Sequence, residues 1–167
     1  MARPFVLQNA PFFWLKIMVL LPCADSGVFG RRSVAFFTFP RTDTLRILYV
    51  EDNEELRETI AMLMEQEGRC ITKCATAEAA LQLDAQEPFD VLFTDVSLPG
   101  LSGTDLARQV LAKDPERWVV LCSGYQFGKA IAALGSHVRA LVKPFELEEL
   151  EDLLVEIETA LKTSPAL

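Results

Sequence analysis

Polar side chains follow four short apolar segments of the chain, each at the point where the segment ends. Glu51 and Asp52 follow LRILYV, Asp95 follows VLFT, Ser123 follows WVVLC and Lys143 follows ALV. If these segments are parallel strands, their carboxyl ends meet at one edge of a sheet. Three carboxylates brought together raise one another's pKa, so a bound cation or Lys143 must offset their charge.

These groups suit the transfer of a phosphoryl group to an aspartate. A site of oxygen ligands, with one or two carboxylates and several waters, is typical of Mg2+. An aspartate at a strand end, such as Asp95, can attack phosphorus and form an aspartyl phosphate. The cation and Lys143 would then neutralise the phosphoryl oxygens, and the Ser123 hydroxyl can donate a hydrogen bond to one of them.

Each of these features also has a simpler structural interpretation. The acidic pair Glu51 and Asp52 could favour the N-terminus of a following helix. The lysine and proline at 143–144 could form an ordinary turn, and Ser123 could simply end a strand. The functional interpretation therefore depends on four strand ends that carry compatible groups in one order along the chain.

The elements that would position these groups alternate regularly from Leu45 onward. Short apolar runs predict strands, and apolar residues at helical spacing between them predict helices. The predicted strands are 45–50, 69–75, 91–94, 118–122 and 140–142, and the predicted helices are 54–67, with Gly68 as its C-cap, 76–86, 104–113, 128–134 and 146–161. This alternation indicates an α/β fold with a parallel sheet covered by helices on both faces.

Residues 1–44 differ in composition from the rest of the chain. They carry five basic and two acidic residues and eight of the fifteen aromatic residues. The apolar run at 10–22 is shorter than the roughly 20 residues of a membrane span and contains Lys16. It resembles a signal-peptide core, but a poorly ordered arm or a start codon assigned too early agrees better with the cytosolic character of the remainder. We therefore predict an amino-terminal extension at 1–44 and no membrane span.

The overall composition restricts the classes of partner. The 167 residues carry a net charge of −8, whereas phosphate binding needs clustered Lys and Arg, so no direct nucleic-acid binding is expected. The four cysteines form no CxxC pair and His137 is the only histidine, which leaves a zinc site without ligands at the usual spacing. Free thiols favour a reducing, cytoplasmic location.

Four motifs together resemble the receiver domain of two-component response regulators. They are YVEDN with the acidic pair, DVLFTDVSLPGLSG around Asp95, LCSGY with Ser123 and VKPF with Lys143. The resemblance covers residues 45–162 and leaves a tail at 163–167. It implies a flavodoxin-like (βα)5 doubly wound fold with strand order 2-1-3-4-5. The sequences LPGLSG and LCSGY are similar to those of receivers in hybrid histidine kinases.

The resemblance also implies a role for each polar residue at the sheet edge. Asp95 would accept a phosphoryl group from a histidine kinase or a histidine phosphotransfer protein. The implied Mg2+ ligands are Glu51, Asp52, Asp95 and the backbone carbonyl of Ser97, and the implied phosphoryl-contacting residues are Ser123 and Lys143. Ser97 and Tyr125 occupy positions that tune phosphoryl lifetime in the family. Ala140 stands where many receivers carry an aromatic switch residue, which places an aromatic-coupled switch in doubt.

The resulting hypothesis is a phosphorylation-controlled interaction module. It would assist its own phosphotransfer and dephosphorylation and would otherwise not be an enzyme. With residues 162–167 alone after the last predicted helix, its output would pass through protein contacts at the last two helices and strand 139–142, or through a phosphorelay.

Two other functions stay open beside it. A receiver-like interaction module that no longer takes phosphate would be expected to lack Asp95 or Lys143, and both are present. A phosphatase with an aspartyl nucleophile would need a second carboxylate where Ser97 stands. The oligomeric state is also open, a homodimer included.

Overall fold

A computed structural model describes residues 44–125 and 133–163 of the chain. The strands are β1 (Leu45–Val50), β2 (Arg69–Cys74), β3 (Val91–Asp95), β4 (Trp118–Ser123) and β5 (Val138–Val142). The helices are α1 (Glu54–Met64), α2 (Ala77–Gln86), α3 (Gly103–Lys113) and α4 (Leu147–Thr163). In this part of the chain no helix is long and apolar enough to cross a membrane.

The strands form one parallel sheet in the order β2-β1-β3-β4-β5. The chain enters at β1, adds β2 on one side and then crosses to the other side for β3, β4 and β5. This reversal between β1 and β3 opens a crevice at the carboxyl ends of the strands, the usual ligand position in doubly wound folds. The predicted flavodoxin-like strand order is confirmed.

Each face of the sheet has its own apolar core. On one face Ile47, Tyr49 and Phe93 pack with residues of α1 and α4, such as Met64 and Leu154. On the other face the alternate residues of the same strands pack with α2 and α3; they include Leu48, Leu92, Leu121, Ala80 and Leu106. Because β3 and β4 are buried along their whole length, the residues at their ends are held by a rigid centre.

Helix starts follow the local sequence closely. Asn53, Thr76 and Ser102 precede α1, α2 and α3, and each side-chain oxygen accepts a hydrogen bond from a backbone N–H of the first turn. Such N-caps stabilise a helix by about 1 kcal/mol each, because they satisfy donors that have no partner within the helix. The first two of these caps lie three residues after the end of β1 and two residues after the end of β2, so each connection from strand to helix is short.

Several predicted boundaries are wrong. Helix α1 ends at Met64 rather than at 67, and Glu65 is its C-cap. Gly68, with a φ of 87°, lies instead in the turn that leads into β2. Met64 is the last α1 residue buried on the sheet, so a longer helix would carry the chain away from the start of β2. Strand β5 begins at Val138, earlier than predicted, because Val138 pairs with Val119 and is buried.

Other predicted segments fall wholly or partly outside the described residues. These are the amino-terminal extension up to residue 43, positions 128–132 of the helix predicted at 128–134, and the end of the tail. The last two residues of that predicted helix, 133 and 134, lie in a turn.

A buried arginine joins β2 to the last helix. The side chain of Arg69, the first residue of β2, is fully buried. Its guanidinium donates to both carboxylate oxygens of Glu151, at 3.1 and 3.0 Å, and to Glu158 Oε1 at 2.7 Å. It also donates to the carbonyl oxygen of Met64, at 3.5 Å. One side chain therefore connects the end of α1, the start of β2 and the length of α4.

Candidate functional site

The structure brings three of the predicted polar side chains into one hydrogen-bonded group. Lys143, just after β5, donates from Nζ to Glu51 Oε2 and to Asp95 Oδ1, each at 2.7 Å. The Glu51 side chain is almost fully buried and that of Asp95 is 11% exposed. Burial alone would lower the pKa of the Lys143 ammonium, but the hydrogen bonds to the two carboxylates outweigh it and raise that pKa. The lysine therefore stays positively charged between the two carboxylates.

Both carboxylate oxygens of Asp95 accept a hydrogen bond. Oδ1 accepts from Lys143, and Oδ2 accepts from the backbone N–H of Ser97 at 2.8 Å. The backbone just after Asp95 is also held, since the N–H of Val96 donates to the carbonyl of Cys122 in β4. Asp95 thus presents an oriented carboxylate at the edge of the sheet.

The loop between β3 and α3 returns closely over Asp95. A Cβ on Gly103 would lie 1.9 Å from the carbonyl oxygen of Asp95, so only glycine fits there. The N–H of Leu101 donates to Glu78 Oε1 at 3.2 Å. A hydrogen bond from the backbone N–H of Glu78 itself, and then the one from Leu101, lower the pKa of the Glu78 carboxyl. Glu78 was missed by sequence reasoning, because nothing local shows that the first turn of α2 contacts this loop.

Among the described residues no hydrogen bond joins Asp95 to Ser123, Tyr125 or Ala140. The Ser123 hydroxyl is buried and accepts a hydrogen bond from the N–H of Tyr125 at 3.0 Å. The Tyr125 side chain is 83% exposed, and Ala140 is exposed on β5. Their predicted contact and tuning roles, and that of the exposed Ser97, stay predictions.

Asp52 is exposed beside this group, and an arginine holds its backbone. The guanidinium of Arg57, in α1, donates to the carbonyl oxygens of Glu51 at 2.8 Å and of Asp52 at 3.4 Å. Sequence reasoning did not include Arg57. A basic residue about one helical turn after an acidic pair is a signal that could have indicated it.

A phenol and a thiol lie buried directly below the carboxylates. Tyr49 and Cys122 belong to the core that packs against α1 and α4. Burial first, and then the negative charge of Glu51, raise the pKa of the Tyr49 phenol. Burial also raises the pKa of the Cys122 thiol, although the charge of Lys143 opposes this. Both groups therefore stay protonated, and neither was singled out by sequence reasoning.

The donor chemistry of the site suits a hard cation. Glu51 and Asp95 each direct one oxygen at the same positive atom, and no nitrogen or sulfur ligand competes in the group. Within the described ranges no three acidic, histidine or cysteine side chains surround a common point. The two carboxylates of Glu51 and Asp95 suit an ion that takes few direct carboxylates and several waters, which is the usual arrangement for Mg2+. The prediction that Asp52 is a further ligand stays a prediction.

Comparisons with known proteins agree with one another. The sequence profile of the response regulator receiver domain matches residues 47–155. The chain is 31% identical over 122 residues to the response regulator receiver protein CpdR of Brucella abortus, covering 70% of this chain and 96% of that protein. It is 33% identical over 111 residues to the response regulator protein FleR of Pseudomonas aeruginosa, but these cover only 24% of FleR and 65% of this chain.

A solved structure gives the same fold. The chemotaxis response regulator CheY4 of Vibrio cholerae superposes with a TM-score of 0.62 at 22% identity. The match covers 68% of this chain and 98% of CheY4. At this identity the likeness concerns the fold alone, and it agrees with the strand order described above.

Proposed function

We propose that Asp95 is the residue that accepts the phosphoryl group. The chain belongs to the response regulator receiver family, whose domain is the phosphoacceptor of two-component signal transduction. The observation that carries this assignment is the pair of hydrogen bonds on Asp95. Lys143 Nζ holds one carboxylate oxygen and the N–H of Ser97 holds the other, at 2.7 and 2.8 Å. A nucleophile oriented in this way needs little rearrangement before it attacks.

The reaction is a displacement at phosphorus. A carboxylate oxygen of Asp95 forms the new O–P bond while the bond between phosphorus and the donor's histidine nitrogen breaks, and the electron pair leaves with the imidazole. Lys143 lies next to the nucleophile and can neutralise negative charge on the transferred oxygens. The Ser123 hydroxyl, at the end of the neighbouring strand, can donate to another of these oxygens.

Mg2+ is the cofactor that we propose for this site. Glu51 and Asp95 would hold it, with Asp52 and the backbone carbonyl of Ser97 as further ligands. When bound, the ion supplies positive charge that compensates the carboxylates and the phosphoryl group. Arg57 supports this arrangement, because its hydrogen bonds to the carbonyls of Glu51 and Asp52 hold the acidic turn in one conformation.

The proposed donor is a histidine kinase or a histidine phosphotransfer protein, and the proposed output is an altered protein contact. Catalysis by this chain would be limited to its own phosphotransfer and dephosphorylation. We also propose a cytoplasmic location, which the free thiols Cys70, Cys74 and Cys122 support because such thiols persist in reducing compartments.

The test is phosphorylation of the full chain by acetyl phosphate with Mg2+, followed by intact mass. We expect wild type to gain the mass of one phosphoryl group and Asp95→Asn to gain none. Asp152→Asn, which changes an exposed aspartate of α4, is the matched control and should be phosphorylated like wild type. An adduct that persists in Asp95→Asn would show that another residue is the acceptor.

A further inference from the structure

The hydroxyl of Tyr49 is an unusual group for the interior of this domain. The side chain is fully buried, and its ring meets that of Phe93 edge to face, with centroids 5.5 Å apart and an interplanar angle of 80°. Among the described residues its hydroxyl makes no hydrogen bond of good geometry, although the Glu51 carboxylate lies close enough to help raise the pKa of the phenol. Burying a hydroxyl without a hydrogen bond destabilises a protein, so phenylalanine would suit this core better. The hydroxyl therefore calls for an explanation outside packing.

The hydroxyl lies below the carboxylate of Glu51. Tyr49 and Glu51 are two residues apart along the same extended strand direction, so their side chains leave the sheet on the same face. Tyr49 pairs in register with Phe93, and Asp95 is two residues further along β3 on that face. The packed ring of Phe93 limits where the phenol can turn. The polar end of Tyr49 is therefore a buried donor on the same face of the sheet as Glu51 and Asp95.

Glu51 has few donors of its own. Its Oε2 accepts from Lys143 at 2.7 Å, and its Oε1 accepts only a long hydrogen bond of 3.4 Å from the N–H of Asn53. If Lys143 turns toward a phosphoryl group on Asp95, Glu51 loses its strongest donor while its side chain remains buried. Even if one oxygen of Glu51 holds the proposed Mg2+, the other oxygen is buried and needs a hydrogen-bond donor.

We propose that Tyr49 is a positioning residue, whose hydroxyl donates to the Glu51 carboxylate when Lys143 engages the phosphoryl group. The hydroxyl then makes no well-formed hydrogen bond in the resting protein and a full one to Glu51 in the phosphorylated protein. This inference rests on the proposed function of Asp95 and Lys143. It assigns to Tyr49 the task of keeping Glu51 directed at the site during phosphoryl binding.

The test compares the resting and the activated states of the full chain with and without the hydroxyl. Beryllofluoride with Mg2+ serves as the phosphoryl mimic, and its affinity is measured by calorimetry. We expect Tyr49→Phe to bind the mimic about tenfold more weakly, as for one lost hydrogen bond to a charged group. Without the mimic, urea unfolding should show the variant to be at least as stable as wild type, because no hydrogen bond is lost there.

Two controls separate positioning from packing. Ile47→Val removes one methyl group from the same core, two residues before Tyr49 on β1 and further from the site. It should lower the stability of both states and leave the affinity for the mimic unchanged. In a Glu51→Gln background the charged acceptor is gone, so adding Tyr49→Phe should change the affinity for the mimic much less than it does in wild type.

The outcomes distinguish this inference from the proposed function. If wild type neither binds the mimic nor takes up phosphate at Asp95, the proposed function fails. If wild type does both and Tyr49→Phe binds the mimic equally well, the role of Tyr49 is overturned while that of Asp95 stands. Equal loss of stability in both states of Tyr49→Phe would likewise overturn it, because the hydroxyl would then be a structural group.

Discussion

Two regions of the molecule each hold one cation between two carboxylates. At the carboxyl edge of the sheet, Lys143 lies between Glu51 and Asp95. At the start of β2, Arg69 lies between two glutamates of α4. The two groups have the same formal charges and comparable distances, from 2.7 to 3.0 Å. Their difference therefore lies in the type of cation and in its burial.

The lysine group can exchange its partners, whereas the arginine group is closed. Lys143 is a point charge on a flexible stem and its side chain is 23% exposed. Arg69 is fully buried, and its planar guanidinium donates to both carboxylates and to the carbonyl of Met64. Fixed geometry and complete burial suit a structural connection, and a mobile charge at an accessible edge suits a site where ligands come and go. Removing each cation should therefore have a different consequence.

The largest expected effect is the loss of phosphotransfer in Lys143→Met. Removing one charged donor to developing oxyanions lowers rates by about 10²–10³-fold, and we expect phosphoryl uptake by Asp95 to fall by that range. The rate is measured by intact mass during incubation with acetyl phosphate and Mg2+. Lys113→Met, at the exposed end of α3, is the control and should keep the wild-type rate. An uptake rate in Lys143→Met close to wild type would contradict the assigned role.

Arg69→Met should damage the fold and leave the chemistry intact. Removing the buried cation leaves two carboxylates, those of Glu151 and Glu158, without their partner, so we expect the free energy of unfolding to fall by about 3 kcal/mol. Urea unfolding measures this change, and the folded fraction should take up phosphate at the wild-type rate. Arg108→Met, which breaks an exposed pair with Asp105, should lower the free energy of unfolding much less than Arg69→Met does. An equal fall in the free energy of unfolding for Arg69→Met and Arg108→Met would contradict the distinction between the buried pair and the surface pair.

The smallest effect concerns two thiols at opposite ends of β2. Cys70 is exposed beside Arg69, whereas Cys74 lies half-buried at the end that faces the site. Burial raises the pKa of the Cys74 thiol to about 11, from a usual value of 9.0. At pH 8 the fraction of Cys74 present as thiolate is about 100-fold lower than for a thiol with a pKa of 9.0. A thiolate of higher pKa is more nucleophilic, which offsets part of the fall in the reaction rate. We expect Cys74 to react with iodoacetamide about tenfold more slowly than in urea.

Peptide mass mapping follows both thiols in one sample. Cys70 is the internal control, since its labelling in the folded chain should approach that in urea. Between pH 8 and pH 10 the labelling rate of Cys74 should rise about tenfold per pH unit, because its thiolate fraction does so below the pKa. A Cys74 rate that already equals its rate in urea at pH 8 would show that the site end of β2 opens freely.

Local features of the fold were predictable, and contacts across the chain were not. The N-caps Asn53, Thr76 and Ser102 act within three residues of themselves, and β1, β3 and β4 consist mainly of apolar residues. The end of α1 was predicted wrongly, because the helix ends where Met64 packs on the sheet and helix propensity does not show that position. Arg69 was not identified either, since its partners are 82 and 89 residues away.

The sequence alone determined which groups stand at the strand ends, because strand periodicity and capping act over a few neighbouring residues. That was enough to predict the sheet, its strand order by resemblance, and the candidate roles of Asp95 and Lys143. Only the tertiary structure decided that the Lys143 ammonium lies between two carboxylates that are 48 and 92 residues away in the chain. It also placed the unpaired hydroxyl of Tyr49 beneath them, because the packing of β1 against β3 decides where that ring can lie.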